Sequence, residues 1–176
     1  IRGLTKTFGD RKITNDLNLD IQTGEFLTII GRSGEGKSVL LKQLMGLLKP
    51  DSGSIIVGNT DIVGLSGLTL AHALKKCGYV FQFAALLDSL SVFENIGIVM
   101  LESGIAPKIV RPLVEECIQR VGLAPDVINR YPDELSGGMK KRVGLARTLM
   151  GNPQIIFYDE PTTGLDPIST QLIHEL

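Results

Sequence analysis

The sequence predicts an α/β fold organised around a glycine-rich turn between a strand and a helix, and three observations carry that prediction. An apolar, β-leaning run, Phe26-Leu27-Thr28-Ile29-Ile30, leads directly into the turn. Beyond the turn, the apolar residues of Val39-Leu40-Leu41-Lys42-Gln43-Leu44-Met45-Gly46-Leu47-Leu48 recur at helical spacing. Far downstream a second apolar run, Gln154-Ile155-Ile156-Phe157-Tyr158, reads as a buried strand and ends abruptly in two carboxylates, Asp159 and Glu160.

The turn itself is Gly31, Arg32, Ser33, Gly34, Glu35, Gly36, Lys37 and Ser38, which fits the pattern G-x-x-x-x-G-K-[ST] in the strand–loop–helix setting that pattern requires. Such a loop is a phosphate trap, because its N–H groups and the helix N-terminus converge on anionic oxygens. Gly31, Gly34 and Gly36 let the backbone turn tightly and approach a phosphate without a Cβ in the way. Lys37 is placed to reach β- and γ-phosphates, and the Ser38 hydroxyl to ligate Mg²⁺. The plain alternative is a glycine-rich turn capping an ordinary helix. With Gly at ~7% usage, the bare pattern arises by chance on the order of once per hundred chains this long, and the flanking strand and helix make it rarer still.

Composition bounds the remaining choices. The chain has 176 residues, of which 43% are hydrophobic, enough for a sizeable core in one globular domain and too many for a disordered chain. No run approaches the ~20 uncharged apolar residues of a membrane span. The net charge of −1 makes no electrostatic case for nucleic acid. Cys77 and Cys117 are far apart, each among apolar neighbours, and read as buried free thiols. A cytosolic location is the default expectation.

The elements follow in order. Residues 1–22 alternate apolar and polar around a turn at Gly9-Asp10, with Leu17, Leu19 and Ile21 on one face. Phe8, just before the turn, is either a core aromatic or an exposed ring able to stack on a base. Lys49-Pro50-Asp51-Ser52-Gly53 stops the first helix, and Ser54-Ile55-Ile56-Val57 is a short strand closed by Gly58-Asn59. Residues 70–76 suit a brief helix and 78–81 a strand delivering Gln82, a polar contact to Mg²⁺ or water, or simply a loop amide.

From 83 to about 149 the texture becomes helical, as an insertion within the α/β domain. Ser91-Val92-Phe93-Glu94 is a capping box that starts a helix to about Glu102. A second amphipathic helix spans 107–121, and Leu135-Ser136-Gly137-Gly138-Met139 leads into a third. Lys140, Lys141, Arg142 and Arg147 on that third helix read as a solvated basic face. At the tip of the 154–158 strand, Asp159 suits water-mediated retention of Mg²⁺ and Glu160 the polarisation of an attacking water, since paired carboxylates there are costly without a cation or proton-transfer role. Asp166-Pro167 reads as the start of a last helix over 168–176.

Taken in order, these motifs resemble the ATP-binding cassette (ABC) ATPases over nearly the whole chain. Residues 31–38 look like Walker A, Gln82 like the Q-loop glutamine, 135–139 like the signature motif, 155–160 like Walker B with its catalytic glutamate, and Thr163-Gly164-Leu165-Asp166 like the D-loop. A narrower resemblance, carried by residues 80–95 and the LSGGM signature, is to the ATPase of Mla-type (Mce-associated) phospholipid transporters. Val39 stands where a threonine is usual, and Met139 replaces the usual signature glutamine, as in the Mla group. The family's switch histidine follows another strand; His174 lies too close to Glu160 for that role and reads as a surface residue, so the C-terminal end is expected to be missing.

The resemblance implies a P-loop NTPase with a mainly parallel core sheet, an antiparallel N-terminal β part and an inserted helical subdomain. The α/β core would comprise 1–82 and 151–176, and the helical subdomain 83–150. Catalysis would rest on Lys37, Gln82 and Glu160, with Mg²⁺ held by Ser38, Gln82 and Asp159. ATP would be bound by residues 31–38 with Val39, by Phe8 stacking on adenine, and by Ser136, Gly137 and Gly138 of a second ABC ATPase subunit arranged head to tail. A membrane permease would dock near Phe83, Ala84, Ala85, Leu86 and Leu87, with no nucleic-acid partner, at the cytoplasmic face of a bacterial inner membrane. A soluble ABC ATPase acting on DNA or ribosomes is the competing class, but such relatives usually carry tandem cassettes, coiled coils or basic extensions. The isolated chain is expected to bind ATP yet hydrolyse it poorly.

Overall fold

The N-terminal alternation folds back on itself at Gly9-Asp10, so that β1 (Arg2–Phe8) pairs antiparallel with β2 (Arg11–Leu17). The computed structural model describes residues 1–82 and 84–159, which divide into two compact units, the first Ile1–Lys75 and the second beginning at Lys76. In the first unit β3 (Ser52–Ser54) joins the other edge of β1, giving the order β2-β1-β3. Strand β2 is shorter than the alternation suggests: it stops at Leu17, next to Asp16 with φ 52°, and Ile21 is exposed.

Helix α1 (Lys37–Leu44) starts at the end of the glycine-rich turn and buries Leu40, Gln43 and Leu44, one side of a 3.6-residue repeat. It ends earlier than the apolar run through Leu48 suggests. Gly46 takes φ 65°, and the Leu47 and Leu48 N–H groups both turn back to the Lys42 carbonyl, at 2.8 and 3.2 Å. A left-handed glycine just past the last turn is a common way to close a helix, and here it overrides the hydrophobic pattern. The strand expected over 54–57 is split: Ile55 is buried between β3 and β4 (Ile56–Val57), which forms a hairpin with β5 (Thr60–Asp61) across Gly58-Asn59. Helix α2 (Gly67–Ala73) begins three residues before the expected 70.

One expected element is not formed. Residues 26–30 carry no strand among the described residues, and Phe26 and Ile30 are 74% and 89% exposed. β propensity is realised only where a neighbouring strand supplies a ladder and a face to pack on. The three-stranded sheet of this unit is assembled from β1, β2 and β3, and Leu27 to Ile30 enter no ladder within it.

The second unit holds the parallel pairing. Strand β6 (Cys77–Val80) runs alongside β7 (Ile155–Tyr158) in the register Cys77 with Ile155, Gly78 with Ile156, Tyr79 with Phe157 and Val80 with Tyr158. The two strands are half-buried rather than sealed, with Ile155 exposed. Between them come α3 (Val92–Glu102), α4 (Pro107–Arg120) and α5 (Gly137–Met150), with short 3-10 turns at Pro125–Asn129 and Pro132–Glu134. The capping box forms as written in the sequence. Ser91 Oγ accepts from the Glu94 N–H at 3.3 Å, and the Ser91 N–H donates to Glu94 Oε2 at 2.8 Å. Pro107 takes the first turn of α4, where its missing N–H costs nothing.

These helices close on one apolar core. α4 contributes Val110, Val114, Cys117 and Ile118, and it meets Val92 and Ile96 of α3 and Val143 and Ala146 of α5. Each valine or isoleucine among them is worth about 1.5–3 kcal/mol when fully buried. Both cysteines are free thiols, Cys117 buried and Cys77 half-buried, and burial raises both thiol pKa values, which leaves them poorly reactive. Among the described residues, no helix is long and apolar enough to cross a membrane.

Candidate nucleotide-binding site

The glycine-rich turn owes its shape to its own polar groups. Gly34 and Gly36 sit at φ 79° and 101°, conformations that only glycine enters without strain. A Cβ on Gly36 would also lie 2.2 Å from Ile13 Cγ2, so this position is closed to side chains from two directions. The Arg32 N–H donates to Glu35 Oε2 at 2.7 Å and the Glu35 N–H returns to the Arg32 carbonyl at 3.3 Å, which folds the turn onto itself. From β2, Arg11 Nη2 donates to the Gly34 carbonyl at 2.7 Å. Arg11 was not singled out from the sequence, and no motif names it; only the antiparallel pairing brings it to the turn.

Lys37 Nζ donates to the Gly31 and Arg32 carbonyls at 2.7 and 2.9 Å, which holds the ammonium over the loop. Helix α1 begins at Lys37 with Gly36 as its left-handed N-cap, no side-chain cap and no acidic residue in the first turn. Its N–H groups and dipole are therefore directed at the loop with nothing of opposite sign on the helix itself. Gly31, Arg32, Ser33, Gly34 and Glu35 are exposed, and Ser38 and Val39 are half-buried. Phe8 is 49% exposed with Lys6 Nζ 5.3 Å from its ring centroid, so the core alternative for this aromatic gives way.

In the second unit Asp159 follows β7 directly, and its N–H extends the parallel ladder to the Val80 carbonyl at 3.0 Å. Its carboxylate Oδ2 accepts from the Tyr79 hydroxyl at 3.0 Å. That contact, with burial, pushes the Tyr79 phenol well above its ordinary pKa, burial being the larger cause. Gln82 lies just beyond β6 and is half-buried. Glu160, the D-loop residues, the helix expected over 168–176 and His174 lie outside the described residues.

Ser136 is the N-cap of α5, its Oγ accepting from the Met139 N–H at 3.3 Å. Ser136 and Gly137 are exposed and Gly138 half-buried, so the N-terminus of this helix faces outward. The basic residues behind it do not form the uniform solvated face expected. Arg147 reaches across to the Ala85 and Ala84 carbonyls at 2.8 and 2.9 Å, and burial lowers its pKa. The reason is local: Gly144 presses against Ala84, where a Cβ would meet the carbonyl oxygen at 3.1 Å, and Ala85 takes φ 48°. A carbonyl pair this close to a helix calls for a fixed donor, and the guanidinium fork supplies it.

The segment after Gln82 is likewise less uniform than its composition. Phe83 lies outside the described residues. Leu86 packs against the helical core, whereas Leu87 is 47% exposed. Buried Asn95 fixes the backbone here: its Oδ1 accepts from the Leu87 N–H at 2.9 Å, and its Nδ2 is shared among the Leu87, Leu90 and Ser91 carbonyls at 2.9–3.1 Å. Asn95→Ala strands those backbone groups, and a chemical-denaturation midpoint should report a loss of about 2 kcal/mol.

A family model described as ABC transporter matches residues 14–163. The chain belongs to that family. The "probable ribonucleotide transport ATP-binding protein mkl" of Mycobacterium leprae is 44% identical over 177 residues, covering 100% of this chain and 51% of that protein. The chloroplastic protein TRIGALACTOSYLDIACYLGLYCEROL 3 of Arabidopsis thaliana is 43% identical over 183 residues, covering 99% of this chain and 52% of that one. The chain thus spans about half the length of the curated relatives it matches. Among solved structures, the dimeric post-hydrolysis state of the ATP-binding cassette MJ0796, bound to ADP and Pi, superposes with a TM-score of 0.90 at 32% identity, covering 99% of this chain and 78% of that one. As an ABC transporter cassette, the chain has the α/β P-loop architecture expected of its motifs, with antiparallel strands in its N-terminal unit.

Proposed function

We propose that this chain is the ATP-binding and hydrolysing part of an ABC transporter, and that it powers movement of a phospholipid-class substrate through a membrane permease. The observation that carries the reading is the loop over residues 31–38, with Lys37 fixed above it and the bare N-terminus of α1 behind it. Loop and helix present backbone N–H groups and one ammonium, the groups that bind a nucleotide's β- and γ-phosphates. The groups that would hold Mg²⁺ are the Ser38 hydroxyl, the Asp159 carboxylate and the Gln82 amide. All are hard oxygens, the set Mg²⁺ takes alongside phosphate oxygens and water, so they fit that ion. When bound, Mg²⁺ would neutralise charge on the transferred phosphoryl group.

The chain's own residues divide the remaining work. Lys37 would hold the phosphates, Glu160 would orient and deprotonate the attacking water, and half-exposed Phe8 would stack on adenine. Ser136, Gly137 and Gly138, at the outward-facing N-terminus of α5, would serve the γ-phosphate held by a second, head-to-tail cassette. The dimeric state of MJ0796 supports a second cassette as partner. The lipid reading is supported by the Mla-like run over 80–95 and by a plant relative named for a galactolipid. The ribonucleotide in the name of the mycobacterial relative is the second reading, and identifying polypeptides and ligands that co-purify with the full-length protein separates the two.

Docking on the permease should depend on the exposed member of the apolar pair. Leu87→Asp is expected to release a full-length version from its membrane subunit while ATP affinity stays within twofold. Leu86, packed against the core, would instead lose fold stability on the same change. A Leu87→Asp protein that still co-purifies with the membrane subunit rejects the docking assignment.

A further inference from the structure

We propose that Tyr79 is a positioning residue for Asp159, fixing the carboxylate that the proposed function places on the metal side of the nucleotide; the inference rests on that reading. The argument begins with the register. In the parallel pair, Tyr79 stands beside Phe157, and Asp159 lies two residues further along. Side chains two apart on a strand share a face and are separated by about 6.6 Å. A tyrosine side chain is long enough to span that step, and its hydroxyl meets Asp159 Oδ2 at 3.0 Å. A phenylalanine or methionine there would fill the same space without a donor.

Tyr79 is held through both its backbone and its ring. The Thr148 hydroxyl of α5 donates to the Tyr79 carbonyl at 3.1 Å. On the same face its ring packs against Phe81, with centroids 4.4 Å apart and planes at 56°. Behind it Gly78 is pressed so closely on α5 that a Cβ would lie 2.5 Å from Thr148 Cγ2. At its other end, Asp159 is pinned by its own N–H to the Val80 carbonyl at 3.0 Å. Backbone and side chain of the carboxylate are therefore both tied to β6, the strand that also leads to Gln82. A hydrogen-bond donor behind a metal-side carboxylate fixes its rotation and directs it, and loss of such an outer partner typically weakens metal binding by about 10–100-fold.

The test is calorimetric and needs no turnover. ATP binding is titrated into the wild-type chain, Tyr79→Phe, Asp159→Asn and the double variant, each with EDTA and across a series of Mg²⁺ concentrations. Tyr79→Phe should bind ATP in EDTA within twofold of wild type, yet need about 10-fold more Mg²⁺ to reach the same enhancement of affinity. In the Asp159→Asn background the tyrosine change should add nothing further, because its effect runs through that carboxylate. Wild-type Mg²⁺ dependence in Tyr79→Phe overturns the inference and leaves the nucleotide reading standing, as do additive effects in the double variant. A Tyr79→Phe chain that fails to fold overturns it too, by assigning the hydroxyl to stability. Absence of ATP binding by the wild type in both media overturns the nucleotide reading and this inference with it.

Discussion

Lys37→Ala is expected to weaken Mg-ATP binding about 100-fold while leaving the thermal transition within a few degrees of wild type. Lys37 Nζ lies over the loop, 2.7 and 2.9 Å from two carbonyls, so its side chain is already ordered before a phosphate arrives and little entropy is lost on binding. A hydrogen bond to a charged group contributes about 1.5–3 kcal/mol, and a lysine bridging two phosphates makes two. At roughly 1.4 kcal/mol per factor of ten, losing two bonds even at the low end of that range gives about two orders of magnitude. The fold should tolerate the change because the ammonium satisfies carbonyls in an exposed loop, where water can replace it. Calorimetry on both proteins decides the matter, and equal affinities would remove Lys37 from the phosphate site.

The second large effect is on turnover. In a full-length version, Glu160→Gln should bind ATP with wild-type affinity, hydrolyse it about 10²–10⁴-fold more slowly and accumulate a closed dimer. The amide keeps the shape of the carboxylate but cannot take a proton from water. The adjacent Asp159 cannot substitute, since one of its oxygens is engaged by Tyr79 and its backbone is tied into the β6 ladder. Steady-state phosphate release together with size-exclusion chromatography in ATP reads both consequences. Near-normal turnover would reject Glu160 as the base.

Much of this was legible in the sequence wherever the determinant was local. The turn at Gly9-Asp10, the Ser91–Glu94 capping box, Pro107 opening α4 and the repeat of Val110, Val114 and Ile118 each lie within a few residues of what they specify. The glycine-rich turn was largely legible for the same reason: Arg32, Glu35 and Lys37 fold it back on itself from within, and only Arg11 reaches it from another element. What the sequence did not show depends on partners far along the chain. Tyr79 meets Asp159 across 80 positions and Arg147 meets Ala85 across 62, and no pattern within a window can announce either. Residues 26–30 failed in the opposite sense. Their composition is right for a strand, but a strand is a property of two segments, and the composition of one says nothing about the other.

The grip of Arg147 on the Ala84 and Ala85 carbonyls has a mechanical reading. Helix α5 is a rod about 21 Å long whose first residue follows Ser136 and whose eleventh is Arg147. The backbone just beyond Gln82 is bolted to that rod on two sides, by the guanidinium fork and by the close seat of Gly144. A helix of this length bends little, so a tilt imposed at the bolt would be carried toward the far tip. Within this unit, the peptide planes at Ala84 and Ala85 and the N-terminus at Ser136 are thus joined through one helix.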